Sequence, residues 1–196
     1  MALRAIGDDP DRPLDLPSSS SSGAAGSLPG MTSAGGAQEL DAMARRVIEG
    51  NRYMVLGTVE PDGAPRLSPV YYTPARHTDF YWVSSPEAQH SRNVGERPEV
   101  QIVIFDSTAP VGHGQAVYLS AVARAVPADD LERACGEAFR PSFGGRAFAP
   151  AELREPADLR LYAAAATSCE VHVPGRHPLN HVGIDVRMPA DPTRRG

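Results

Sequence analysis

From residue 159 onward, Leu159, Leu161, Ala163, Ala165, Thr167, Cys169, Val171 and Val173 recur at every second position, which is the period of a β-strand. This long alternation is not isolated. Residues 52–60 form a β-rich run, the turn Pro61-Asp62-Gly63 follows, and an extended run continues through residues 67–72, together reading as a hairpin. A turn at residues 76–79 then feeds Phe80-Tyr81-Trp82-Val83. Residues 100–105 are apolar enough for a strand buried on both faces, and residues 115–126 alternate again as a long strand. Six strands joined mostly by short connections imply an antiparallel sheet too curved to stay flat, and a small barrel is the economical solution.

Two or three helices flank it. Leu40, Met43, Ala44, Val47 and Ile48 share one helical face and Gly50 is a stop signal, so a helix is expected over residues 37–49. Ser85 followed by Pro86 reads as a cap and first helical position, predicting a short helix that ends before Pro98. Leu131, Ala134, Cys135 and Ala138 place a third helix over residues 128–139. Residues 107–114 read as a Gly- and Pro-rich loop, and residues 140–157 as an irregular connection.

The 196 residues suffice for one sizeable core but are few for two. Residues 1–36 carry three prolines before a run of five serines, then repeated glycines. Such composition buries too little apolar surface to offset ordering entropy, so these residues are expected to be a disordered tail. Met31 would serve as a start codon as well as Met1. The folded domain is expected over residues 37–174, with an irregular tail over residues 175–196. No stretch reaches the roughly 20 apolar residues of a membrane span, and the N-terminus lacks a secretory signal core. A soluble, cytoplasmic protein without membrane partners follows as the expectation.

The formal net charge is −5, from 19 basic and 24 acidic residues, which argues against a sequence-independent grip on nucleic acid. Every basic residue is arginine. The absence of lysine excludes Schiff bases, a P-loop lysine and Ser–Lys nucleophile pairs. Any anion must be met by Arg forks, hydroxyls, His or backbone N–H groups. The two cysteines, Cys135 and Cys169, are too few and too far apart for a metal knuckle or a disulfide framework and read as reduced core thiols. Spacing draws attention to His172, His177 and His181, but Pro178 directly follows His177 and disfavours the helix that an HxxxH metal pair needs. No metal is expected. Tyr71, Tyr72, Tyr81 and Trp82 read as core or interface aromatics before cofactor contacts.

The segment with the most chemistry runs from Arg66-Leu67-Ser68-Pro69-Val70 to Val83-Ser84-Ser85 and Gln89-His90-Ser91-Arg92-Asn93. A strand ending in two hydroxyls beside a helix start, His90 and Arg92 gathers donors where a phosphate could sit; Arg66 on a neighbouring strand adds a fork. The bland alternative is a capped helix with solvated charges.

These residues, in this order, resemble the pyridoxamine 5′-phosphate oxidase-like family of FMN-binding split β-barrels over about residues 38–173. The resemblance rests on Gly57-Thr58, Asp62-Gly63, Pro69-Val70, Ser84-Ser85, His90-Ser91-Arg92-Asn93 and the strand after Pro98. It implies a mainly β, α+β split barrel that forms a homodimer with cofactor sites at the subunit interface and acts on a small-molecule substrate. It also implies FMN held by Arg66, Ser84, Ser85, Gln89 and His90, with Leu67, Ser68 and Val70 along the ring; Val83, Arg92 and Gln115 complete the candidate set. The family often has lysine where this chain has His90, a weaker phosphate partner when neutral. Redox chemistry would belong to the flavin, and no side-chain acid, base or nucleophile is nominated. The alternatives are a deazaflavin-dependent reductase, whose acidic coenzyme tail would seek Arg45, Arg46 and Arg52, and a non-catalytic flavin- or haem-binding module.

Overall fold

The computed structural model describes residues 34–141 and 145–194; the expected disordered tail therefore lies, over residues 1–33, outside the described residues. Helix α1, Ala34–Gly50, begins three residues before its expected start and buries Leu40, Met43, Ala44, Val47 and Ile48, the face that the apolar spacing marked. Among the described residues eight strands follow, where about six were expected. β1 is Tyr53–Val59, β2 Pro65–Tyr71, β3 Thr73–Ala75, β4 Asp79–Ser84, β5 Glu99–Phe105, β6 Ala116–Ala125, β7 Arg160–Val173 and β8 Val186–Pro189. α2 is Gln89–Glu96 and α3 is Leu131–Ala138, the latter entered through a 3-10 turn at Ala128–Asp130.

All strand pairs are antiparallel, in the order β2-β1-β5-β6-β7-β4-β3, with β8 pairing β7. β2 also packs against β4 without a ladder between them, so the sheet curls round until its two ends meet as a split barrel. The register of β6 and β7 slips between Ser120 and Ala121, a bulge of the kind that bends a sheet. The core inside the curl joins α1 to Met54, Leu56, Phe80, Trp82, Ile102, Leu119 and Tyr162; a second cluster lies under α3 around Tyr81, Leu131, Cys135, Leu153 and Leu161.

Several expectations are corrected. β5 is buried on one face only: Val100, Ile102 and Ile104 point inward while Glu99, Gln101 and Phe105 are exposed. Its sheet has one covered side here, and apolarity alone did not reveal which residues alternate. α2 starts at Gln89, not at Pro86, because the Ser85 hydroxyl accepts from the Glu87 amide, 3.1 Å, and closes a separate turn first. The tail after Pro174 is not irregular throughout. β8 pairs Glu170–Val173, Arg187 lies over the Tyr118 ring at 3.6 Å, and the Asp191 amide donates to buried Asp41 at 2.7 Å. Among the described residues no helix is long and apolar enough to cross a membrane.

Candidate functional site

β2 is an edge strand, and its outward residues carry the first half of the site. Leu67 is 72% exposed, Arg66 is exposed, and Ser68 and Val70 are half-buried. The meeting of β2 with β4 brings Arg66 toward the end of β4 and the start of α2. There the Ser84 hydroxyl lies 2.9 Å from His90 Nε2. Burial and the neighbouring Arg66 guanidinium both hold His90 below its ordinary pKa of 6.5, so it is neutral at pH 7 and sits in a positive field. Glu60 takes the Nε side of Arg66, and so steadies the fork from one edge.

α2 is fixed from below. Asn93 donates to the Thr58 hydroxyl of β1 at 3.0 Å, a buried contact, and accepts from Gln89 Nε2 at 2.9 Å. Gln89 is thereby turned along its own helix. Arg92 is drawn to Glu87 at 2.6 Å on the exposed side. Ser85 uses its hydroxyl for the local turn. Arg66, Ser84 and His90 are therefore the candidates that the fold gathers, with Leu67, Ser68 and Val70 alongside on β2.

Val83 lies elsewhere. It lines an aromatic recess of about 330 Å³ with Tyr71, Tyr81, Trp82, Phe139 and Phe148, a volume within the usual range of small-molecule pockets. Trp82, at its wall, has a buried Nε1 without a partner. Gln115 is also separate. It precedes Ala116 at the start of β6, whereas the Ser84 end of β4 borders the Tyr162–Ala125 end of β7 and β6, at the opposite end of β6.

Two of the histidines that spacing singled out have carboxylates beside them: His172 faces Asp185 at 3.5 Å and His177 faces Glu39 at 3.5 Å. Among the described residues no group of three or more His, Cys, Asp or Glu could hold a metal ion. Both cysteines are free, and burial raises both thiols, Cys169 to about 12, which makes them poor nucleophiles. Sequence reasoning missed Glu60 and the Thr58–Asn93 tie, since nothing in spacing couples residues 35 positions apart.

The donor set suits a phosphate: one guanidinium, one hydroxyl and one imidazole converge beside an exposed apolar edge. A curled antiparallel sheet whose two ends meet in this way defines a split barrel. The family model described as pyridoxamine 5′-phosphate oxidase matches residues 40–172, and the chain belongs to that family. Among solved structures it is similar to a haem-binding protein from Mycobacterium smegmatis, with 19% identity and a TM-score of 0.57, over 78% of this chain and 59% of that one. It thus spans less than two thirds of that protein. It is also similar to HutZ, the haem storage protein from Vibrio cholerae, with 18% identity and a TM-score of 0.51, over 66% of this chain and 92% of that one. At such identities the likeness is one of fold. No curated protein matches the sequence.

Proposed function

We propose that the protein is a homodimeric flavoprotein that binds FMN at the seam between β2 and the β4–α2 junction and acts as an oxidoreductase on a small substrate. The observation that carries this reading is the convergence of Arg66, Ser84 and His90 in a chain of this family. Arg66 supplies the fixed charge for the phosphate, Ser84 a hydroxyl, and His90 a neutral imidazole. The main chain of Leu67–Val70 and the exposed Leu67 side chain would face the ring. A second copy covering β2 would remove Leu67 from water, together with other exposed apolar side chains such as Tyr53 and Phe105. Bound flavin would supply the electron transfer itself, leaving this chain to bind, orient and exclude water.

An absorbance spectrum of protein loaded with FMN and desalted is the direct test. Retained bands near ~375 and ~450 nm support the reading. A Soret band after haem loading, or uptake of deazaflavin alone, replaces it with one of those cofactors. Arg66→Ala is expected to weaken FMN binding roughly tenfold to a hundredfold in fluorescence titration, matching loss of a charge-assisted contact of about 1.5–3 kcal/mol. Unchanged affinity would place the phosphate elsewhere.

A further inference from the structure

α2 has a second working face. Ser91, Val94 and Gly95 follow the i, i+3, i+4 spacing of one side of a helix, whereas Asn93 points across to Thr58. Together with Pro98, the last residues of β6 and Tyr162 of β7, that face bounds a cavity of about 350 Å³. Its wall is mainly apolar and, among the described residues, contains no carboxylate.

The polar groups around this cavity are donors with nothing to donate to. Ser91 is 4% exposed, and its buried Oγ has no hydrogen-bond partner; buried polar groups are ordinarily satisfied, so an exception calls for a cause. Tyr162, also 4% exposed, stacks on Trp82 at 5.5 Å, yet its hydroxyl makes no hydrogen bond among the described residues. Arg124 stands exposed at the rim with neither an ion pair nor a hydrogen bond to any described residue. Acids do lie in the neighbouring recess that Arg124 also borders, but they are taken: Asp79 by Arg76 at 3.0 Å and Asp130 by Arg133 at 3.1 Å.

A guanidinium and two hydroxyls around an apolar hollow call for a ligand that brings acceptor oxygens on a compact apolar body. A carboxylate offers two such oxygens in the geometry of a guanidinium fork, and an apolar wall penalises a more highly charged anion more heavily. We infer that this cavity is a binding site for a compact apolar monocarboxylate, held by Arg124 with the Tyr162 and Ser91 hydroxyls as further donors. It is separate from the seam and stands whatever binds there.

The test titrates benzoate and its neutral isostere benzamide into the full chain at low salt. Binding is read by calorimetry and by the emission of Trp82, the only tryptophan, which stacks on Tyr162. Saturable binding of one benzoate per chain is expected, with benzamide roughly tenfold weaker. Arg124→Gln should weaken benzoate by a similar factor, while Arg66→Ala leaves it unchanged. Gly95→Leu should abolish binding: a Cβ at Gly95 meets nothing within 4 Å, so the new side chain enters the hollow without a backbone clash. Loss of a helical glycine also favours the helix, so an undiminished melting temperature shows that this variant is folded. Ser91→Ala strands no partner and should weaken benzoate without lowering the melting temperature. Absence of saturable benzoate binding, or binding that Arg66→Ala removes and Gly95→Leu keeps, overturns the inference. Equal affinity for benzamide overturns the carboxylate.

Discussion

His90 shows how one side chain records its surroundings. Burial disfavours its charged form, and the Arg66 guanidinium adds repulsion, so its folded pKa lies below the ordinary 6.5. Below about pH 6.5 the unfolded chain then binds a proton that the folded chain does not. Stability is consequently full above that pH and is lost as the solution is acidified through the window down to the folded pKa. His90→Gln removes the titration, so its melting temperature should fall less than that of wild type between pH 7 and pH 5 in calorimetry. Parallel curves would show that another group controls the loss. Arg92 and Gln89 carry the opposite lesson. Each is engaged within its own segment, Arg92 by the exposed Glu87 and Gln89 by Asn93, which spacing alone did not reveal.

Element placement rests on polar ties as much as on apolar faces. α2 has one buried apolar residue, Val94, and is docked by the Asn93–Thr58 hydrogen bond, both partners being buried. Asn93→Ala leaves the Thr58 hydroxyl without its partner and is expected to cost about 1–3 kcal/mol in denaturant unfolding. Thr58→Val combined with Asn93→Leu should cost less than the sum of the single changes, because both ends of the bond go together. Strict additivity would show that the bond does not dock the helix. The pairing of Ser85 with its own turn belongs to the same scale: a helix-start signature was legible, but whether the helix propagates from it depends on where Ser91 and Val94 meet the barrel.

For the whole molecule, residues 175–194 close the structure. β8 covers the end of β7, where Val171 and Val173 are fully buried, and Asp41, only 2% exposed, takes both the Asp191 amide and Arg194. A chain ending at residue 174 would uncover that apolar edge and strand a buried carboxylate, a loss of about 3–5 kcal/mol for the charge alone. Its melting temperature is expected to fall by about 10 °C. Scanning fluorimetry of the truncated chain checks this, and an unchanged melt would show the segment to be dispensable.

Local pattern determined a good deal: the apolar face of α1, the hairpin of β1 and β2, the alternation of β6 and β7, and the composition that leaves arginine as the only fixed cation. These are read within one or two turns or pleats, where spacing and side-chain direction are set by the backbone itself. Gly57-Thr58, Pro69-Val70, Ser84-Ser85 and Arg92-Asn93 also carried the family, since their order survives without knowledge of contacts. What only the tertiary structure decided is which donors meet. The closure of β2 on β4 brought Arg66 near Ser84 and His90 and left Gln115 at the far end of β6, and the return of the C-terminal segment set the Asp191 amide and Arg194 on Asp41 of α1. Such juxtapositions depend on how a curled sheet closes, and sequence separation carries no measure of that closure.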